Sequence, residues 1–279
     1  MKKVAVVIIV FFALLQYAQG QRILSFPFSA KYDEEAAIAI GMQYNFGFQS
    51  YQINLKNNWQ SAYPIDYPED DIAYLGELRS ISSRTSHLIS VGIPIDVRAH
   101  ANLYFNTTPS FVFANGLGIK YQSLDPQIAD ITRQQKHIVS SNIGSGFNAF
   151  EIPFTIKYRS DEKKVNRQSD YRYRGYLIAG ARLTKWAGLQ KEFNKIQGLK
   201  NSNQAYPDNL IHHSQYLSWE AGMGVDIFFP YFRISPELKF NQSFGNVLDV
   251  NHSLAQNNKF MAPIERAYIR NIYLSLTFQ

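Results

Sequence analysis

The sequence predicts an all-β protein, an eight-stranded antiparallel up-and-down outer-membrane β-barrel with a packed polar lumen. Three observations predict it. Apolar and polar residues alternate in eight segments, as in strands with two chemically different faces. Most segments reach the length that a tilted membrane strand needs. Short and long connections also alternate between them, as in a meander whose long loops emerge at one end.

The expected strands are Ala36–Ser50, His87–Arg98, Leu103–Gln122, Asn148–Tyr158, Asp170–Leu183, Gln215–Phe228, Tyr231–Phe244 and Ala267–Phe278. Gln215–Phe228 alternates most cleanly, with Leu217, Trp219, Met223, Val225 and Ile227 opposite Ser218, Glu220, Gly222, Gly224 and Asp226. The connections 99–102, 159–169 and Phe229–Pro230 are the short ones, against 51–86, 123–147, 184–214 and 245–266. An open edge cannot face lipid, so a lipid-facing sheet has to satisfy its outer strands. Trp219 and Tyr158, Tyr171, Tyr173, Tyr231 and Tyr268 are candidates for interface girdles. Pro94, Pro109, Pro153 and Pro236 fall inside proposed strands, where each removes a ladder donor. Asn115–Gly116 is a possible turn within the third segment.

Composition narrows the function. The chain of 279 residues carries Lys+Arg 28 against Asp+Glu 22, a net charge of +6 that is too small and scattered to imply nucleic acid. Charged residues are 18%, below the roughly 25% of an average soluble domain. Cysteine is absent, which excludes thiol catalysis, disulfides and Cys-ligated metal sites. Lys2 and Lys3 precede the apolar run Val4–Leu15 and a small-residue stretch ending at Gly20, the pattern of a signal peptide over residues 1–20. Residues 21–35 then read as an N-terminal periplasmic segment and 36–279 as the barrel domain, with both termini periplasmic.

The polar face supplies the expected lumen network: Asp96, Arg98, Glu151, Lys157, Arg172, Arg174, Arg182, Glu220, Asp226, Arg233, Glu237 and Lys239. Such charges require mutual pairing when removed from water. The turn 159–169 mixes bases and acids and reads as a periplasmic docking surface through Arg159, Asp161, Lys163, Lys164, Asn166 and Arg167. No catalytic, cofactor or metal site is expected. His87, His100, His137, His212, His213 and His252 form no metal motif, and Asp70–Asp71 lie outside any EF-hand pattern. An outer-membrane hydrolase with a loop-borne site and a narrow solute channel are the alternative functions.

The stretch Glu151–Ser160, with Asn166, Arg167 and Tyr173–Arg182, resembles the PorT family of Bacteroidetes. Gly92–Arg98, Tyr104–Phe105 and Thr107–Phe111 resemble it too. Arg98, Arg159, Ser160, Asn166, Arg167 and Gly180 are the positions that match. The resemblance implies a non-enzymatic outer-membrane component required for type IX protein secretion, and for gliding motility where present. It implies other type IX envelope proteins as partners, with outer-membrane lipid and lipopolysaccharide around the chain.

Overall fold

The computed structural model describes residues 24–27, 36–60, 76–114, 116–134, 149–164, 172–201, 209–255 and 258–279. The expected signal peptide, His137, Asp70–Asp71, Asn115, Asn166, Arg167 and Tyr171 lie outside the described residues. In chain order the strands are β1 (Leu24–Ser25), β2 (Ile38–Ile40), β3 (Met42–Leu55), β4 (Leu78–Arg84), β5 (Ser86–Gly92) and β6 (Ile95–Arg98). There follow β7 (Leu103–Thr107), β8 (Ser110–Ala114), β9 (Gly118–Ser123), β10 (Ile131–Gln134), β11 (Ala149–Arg159), β12 (Lys163–Lys164) and β13 (Arg172–Trp186). Helix α1 (Leu189–Asn201) precedes β14 (Gln215–Phe228), β15 (Arg233–Ser243) and β16 (Ile264–Phe278).

This corrects the expected eight-stranded up-and-down barrel. Among the described residues, sixteen strands form two sheets, one of thirteen strands in the order β1-β2-β6-β7-β11-β8-β5-β3-β16-β15-β14-β13-β12 and one of three, β10-β9-β4. Strand β11 pairs on one side with β13 and on the other with β7 and β8. Pairing can therefore be followed from β13 through β14, β15, β16, β3, β5 and β8 to β11. All these pairs are antiparallel. The parallel pair is β1 with β2.

Proline is one reason for the larger strand count. Ile93–Pro94 separates β5 from β6, and Thr108–Pro109 separates β7 from β8. The register does not slip at these breaks. Gln43↔Gly92 and Ile40↔Ile95 lie three residues apart on both strands, as do Gly92↔Ser110 and Ile95↔Thr107. One bond survives at each proline, Gly41 N–H to the Pro94 carbonyl and Ile93 N–H to the Pro109 carbonyl, both 3.1 Å. The return bond is impossible because proline has no N–H. Pro153 continues the line. It pairs with Arg182 on β13, while its other side meets the Thr108–Pro109 break. Pro236 similarly pairs with Leu276, and the β14–β15 ladder lapses beside it.

The other reason lies in the segments expected as long loops. Residues 118–123 do not extend the third segment, since β9 joins β4 and β10 in the second sheet. Helix α1 contributes Leu189, Phe193 and Ile196, three buried side chains one turn apart on one face. They join Leu117, Ile119, Tyr121, Leu210, Ile211, Leu248, Phe260 and Met261 in one apolar cluster. Tyr51, Leu88, Val112, Trp186 and Ile269, from the long-loop ends of the main strands, belong to it too. The Tyr121 hydroxyl donates to the Phe260 carbonyl, and Asn258 Oδ1 accepts the Phe260 and Met261 amides. These segments thus form an apolar cap over one end of the main sheet.

Close approach fixes Gly41 at the β2–β3 junction, where an added Cβ would lie 1.8 Å from the Phe278 carbonyl oxygen. Gly41→Ala is expected to cost about 2 kcal/mol, because backbone has to move to relieve the overlap. The measurement is the temperature at which the folded electrophoretic band converts to the unfolded one. Wild-type melting of the variant would refute the packing at this junction.

Candidate functional site: a buried ion-pair network

The two faces of the main sheet are inverted relative to a soluble protein. Met42, Ile93, Phe105, Phe154, Tyr158, Leu177, Met223 and Leu274 are exposed, Phe154 by 62%. The opposite face buries Asp96, Glu151, Lys157, Arg159, Arg182, Glu220, Asp226, Arg233, Glu237 and Lys239. Period-two geometry produces this directly. On β11, Phe154, Ile156 and Tyr158 point out while Glu151, Thr155, Lys157 and Arg159 point in.

Five buried acids face five buried bases, so this set is neutral. Asp96 is the hub. It receives Arg159 and Arg233 at 2.8 Å, Lys157 at 3.5 Å and the Asn106 amide at 2.7 Å. Arg159 also lies 2.8 Å from Asp226, which accepts the Ser235 hydroxyl at 2.5 Å and holds Arg233 at 3.5 Å. Glu237 accepts Lys157 at 2.9 Å, Lys239 and the Tyr176 hydroxyl at 2.8 Å, and the Gln43 amide at 3.2 Å. The Arg159 guanidinium sits 3.8 Å from the centre of the Tyr104 ring. Strands β3, β6, β7, β11, β13, β14 and β15 are thereby joined across the polar face.

A second group lies nearer the cap. Arg182 binds Glu151 and Glu220, and the Tyr273 hydroxyl donates to Glu151 at 3.0 Å. The guanidinium lies 4.6 Å from the Tyr273 ring centre. Above it, within the cap, Tyr51 and His212 share a 2.6 Å hydrogen bond, and His212 Nδ1 lies 3.2 Å from the Leu210 carbonyl.

The expected residues divide by position. Ten expected network members are Asp96, Arg98, Glu151, Lys157, Arg182, Glu220, Asp226, Arg233, Glu237 and Lys239, and all but Arg98 are fully buried with charged partners. Arg98 is half-buried at the short-turn end, and its Nη1 has no hydrogen-bond partner among the described residues. Arg172 and Arg174 sit at that end as well, paired with Glu162 at 3.0 and 3.5 Å. Of the expected docking residues, Asp161, Lys163 and Lys164 are exposed. Arg159 is a correction: it is 1% exposed and belongs to the Asp96–Asp226 group, not to the docking turn. Its place was legible, because it extends the inward series of Glu151, Thr155 and Lys157 by one more step of two. The expected network left out the neutral donors Gln43, Asn106, Tyr176, Ser235 and Tyr273 and the Tyr104 ring, although all of them carry the same period-two signal.

Every charge of the buried network lies against an opposite charge. This is a structural arrangement. No group of three or more His, Cys, Asp or Glu among the described residues is placed to hold a metal.

Arg182→Met is expected to cost roughly 3–5 kcal/mol, because it leaves two buried carboxylates without their cation. Adding Glu151→Gln and Glu220→Gln should recover most of that loss in a denaturant titration followed by tryptophan fluorescence. Failure of the triple variant to recover would show that Arg182 acts through packing instead. In the cap, burial pushes His212 down to about 3. The unfolded chain therefore takes up a proton that the native protein refuses. Native stability is full above about pH 6.5 and falls by roughly 1.4 kcal/mol per pH unit on acidification towards 3. His212→Gln should flatten this fall, as read from unfolding midpoints at several pH values. An unchanged acid slope would sink the assignment.

No protein-family model matches the chain, and no curated protein matches it. Among solved structures it is similar to Neisserial surface protein A (NspA), with a TM-score of 0.34 and 10% identity over 85% of this chain and 95% of that one. It is similar also to the outer membrane protein OprG from Pseudomonas aeruginosa, with a TM-score of 0.33 and 9% identity over 85% and 94%. With no family model behind them, PorT membership and a part in gliding are not assigned to this chain.

Proposed function

We propose that this is a non-catalytic structural protein of the bacterial outer membrane, with the exposed apolar face of its main sheet in lipid. One observation carries the reading: Met42, Phe154, Tyr158, Leu177 and Met223 are exposed while Asp96, Arg159, Arg182 and Asp226 are buried. Water would favour the reverse. Hydrocarbon favours this arrangement, since it accepts the apolar side chains and requires charges to be paired elsewhere.

A solute channel is disfavoured. Lys157 and Arg159 have side chains only 2% exposed, and the apolar cap closes one end of the polar face. The finer reading is an accessory role in type IX secretion, through assembly or through docking of other envelope proteins at the short-turn end. Its support is the motif likeness at Gly92–Arg98, Glu151–Ser160 and Tyr173–Arg182. Outer-membrane lipid and lipopolysaccharide are the proposed surroundings of the apolar face.

The expected result is a protein that resists alkaline extraction from outer membranes and shows a heat-modifiable band in detergent. Recovery in the soluble fraction would overturn the membrane reading. Deletion of the gene should leave type IX cargo in the periplasm, and normal cargo export would overturn the secretion reading alone.

A further inference from the structure

The outer face of the main sheet changes character towards the capped end. On β16, Leu276, Leu274 and Ile272 are exposed in steps of two, and the next residue of that series is the half-buried Arg270. Neighbouring strands share the change. Ile272 lies beside Phe240 of β15 and Phe48 of β3, whereas Arg270 lies beside Gln242 and Ser50. Trp219 of β14 stands next to Gln242 and packs against Phe240, with ring centres 5.3 Å apart. A polar row therefore borders the apolar wall on its outer side. Arg270 also differs from the arginines of the inner face. Its Nε donates to Gln242 Oε1 at 2.8 Å, and it has no acidic partner among the described residues. That bond engages one of the five N–H groups of the guanidinium. An arginine on an apolar wall reaches for the membrane boundary, where anions are found.

We propose that Arg270, with Gln242 and Ser50, holds the phosphate of a membrane lipid whose chains lie along Ile272, Phe240 and Phe48. The inference rests on the membrane reading of the outer face and names a lipid subsite on it. The ligand is an amphiphile because the cation stands at the end of an exposed apolar wall. An anion that meets Arg270 from outside has Ile272 and Phe48 directly below it, and only a lipid covers both. Phosphate suits the guanidinium because its oxygens accept two parallel N–H bonds. The Ser50 hydroxyl and the Gln242 amide supply neutral donors on either side of Arg270.

The test uses the full chain in uncharged detergent micelles with dibrominated phosphatidic acid, and dibrominated diacylglycerol as the control. Bromine quenches tryptophan at short range. Trp219 is exposed beside the site, whereas Trp186 and Trp59 belong to or pack against the cap cluster. Half-quenching should need about fivefold less phosphatidic acid than diacylglycerol. Arg270→Gln should abolish that preference. Arg266→Gln, on the same strand and beside Glu265, should leave it within about twofold of wild type. Should Arg270→Gln lose its heat-modifiable band, Arg270→Met, which suits an apolar wall, is read in its place with the same expectation. Equal quenching of the wild type by the two lipids, or an unchanged preference in a folded Arg270 variant, overturns the proposal. So does loss of the preference on adding inorganic phosphate at constant ionic strength, which would assign the site to the free anion. A protein that embeds in membranes yet treats the two lipids alike loses this inference alone.

Discussion

The mutual neutralisation of five acids and five bases on one face of a sheet is the condition on which this fold depends. A single ionised side chain in that setting would cost several kcal/mol, and ten of them would forbid the structure. They are tolerable because each finds a partner of opposite charge, on another strand for all but Lys239, which pairs with Glu237 two residues away on β15. Asp96 on β6 meets Arg159 on β11 and Arg233 on β15, and Tyr273 on β16 reaches Glu151 on β11. The network thereby fixes which strands approach one another across the polar face, and with them the curvature of the sheet. It also fixes register. A slip of one residue on β11 would turn Lys157 and Arg159 outward and Tyr158 inward.

The polar network adjoins the apolar cap above it. Arg182 and its two glutamates lie next to the level where Trp186, Tyr216 and Ile269 begin the apolar cluster. Below that level the sheet is polar inside and apolar outside, and above it the order of a soluble core returns. The residues that make the change are amphipathic. Tyr273 offers its ring to the cluster and its hydroxyl to Glu151, and Tyr51 offers its ring beside His212 while sharing a hydrogen bond with it. Tyrosine suits such a boundary because its apolar body and polar tip can lie in different surroundings.

Much of the wall was legible in the sequence, and the reason is physical. Alternation survives any detail of pairing, so Leu217, Trp219, Met223 and Val225 declare an outward face before a partner strand is known. Strand continuity was not legible in this way. Pro94, Pro109 and Pro153 looked like objections to long strands, yet the structure keeps register through them because each faces a break in its neighbour. The cap was illegible for another reason. The apolar residues of β4, β9, β10 and α1 come from four separate segments, and none is long enough to declare a core alone. Arg159 was misplaced by a boundary drawn one residue early, although its period-two step from Lys157 was present.

The prolines also explain where the sheet can yield. The breaks at Gly41, Pro94, Pro109 and Pro153 lie side by side on neighbouring strands, so the missing bonds form one line across the wall instead of four scattered defects. Along that line each ladder step has one hydrogen bond where a regular pair has two, as Gly41 with Pro94 and Ile93 with Pro109 show. What holds the wall there is the polar face behind it. Asp96 stands two residues from Pro94, Asn106 three from Pro109, and Thr155 two from Pro153, and Asn106 bonds both of the others. The wall is therefore weakest in backbone bonding where it is tied by side chains. The ion-pair network that makes the inverted sheet possible also compensates for its interrupted ladders.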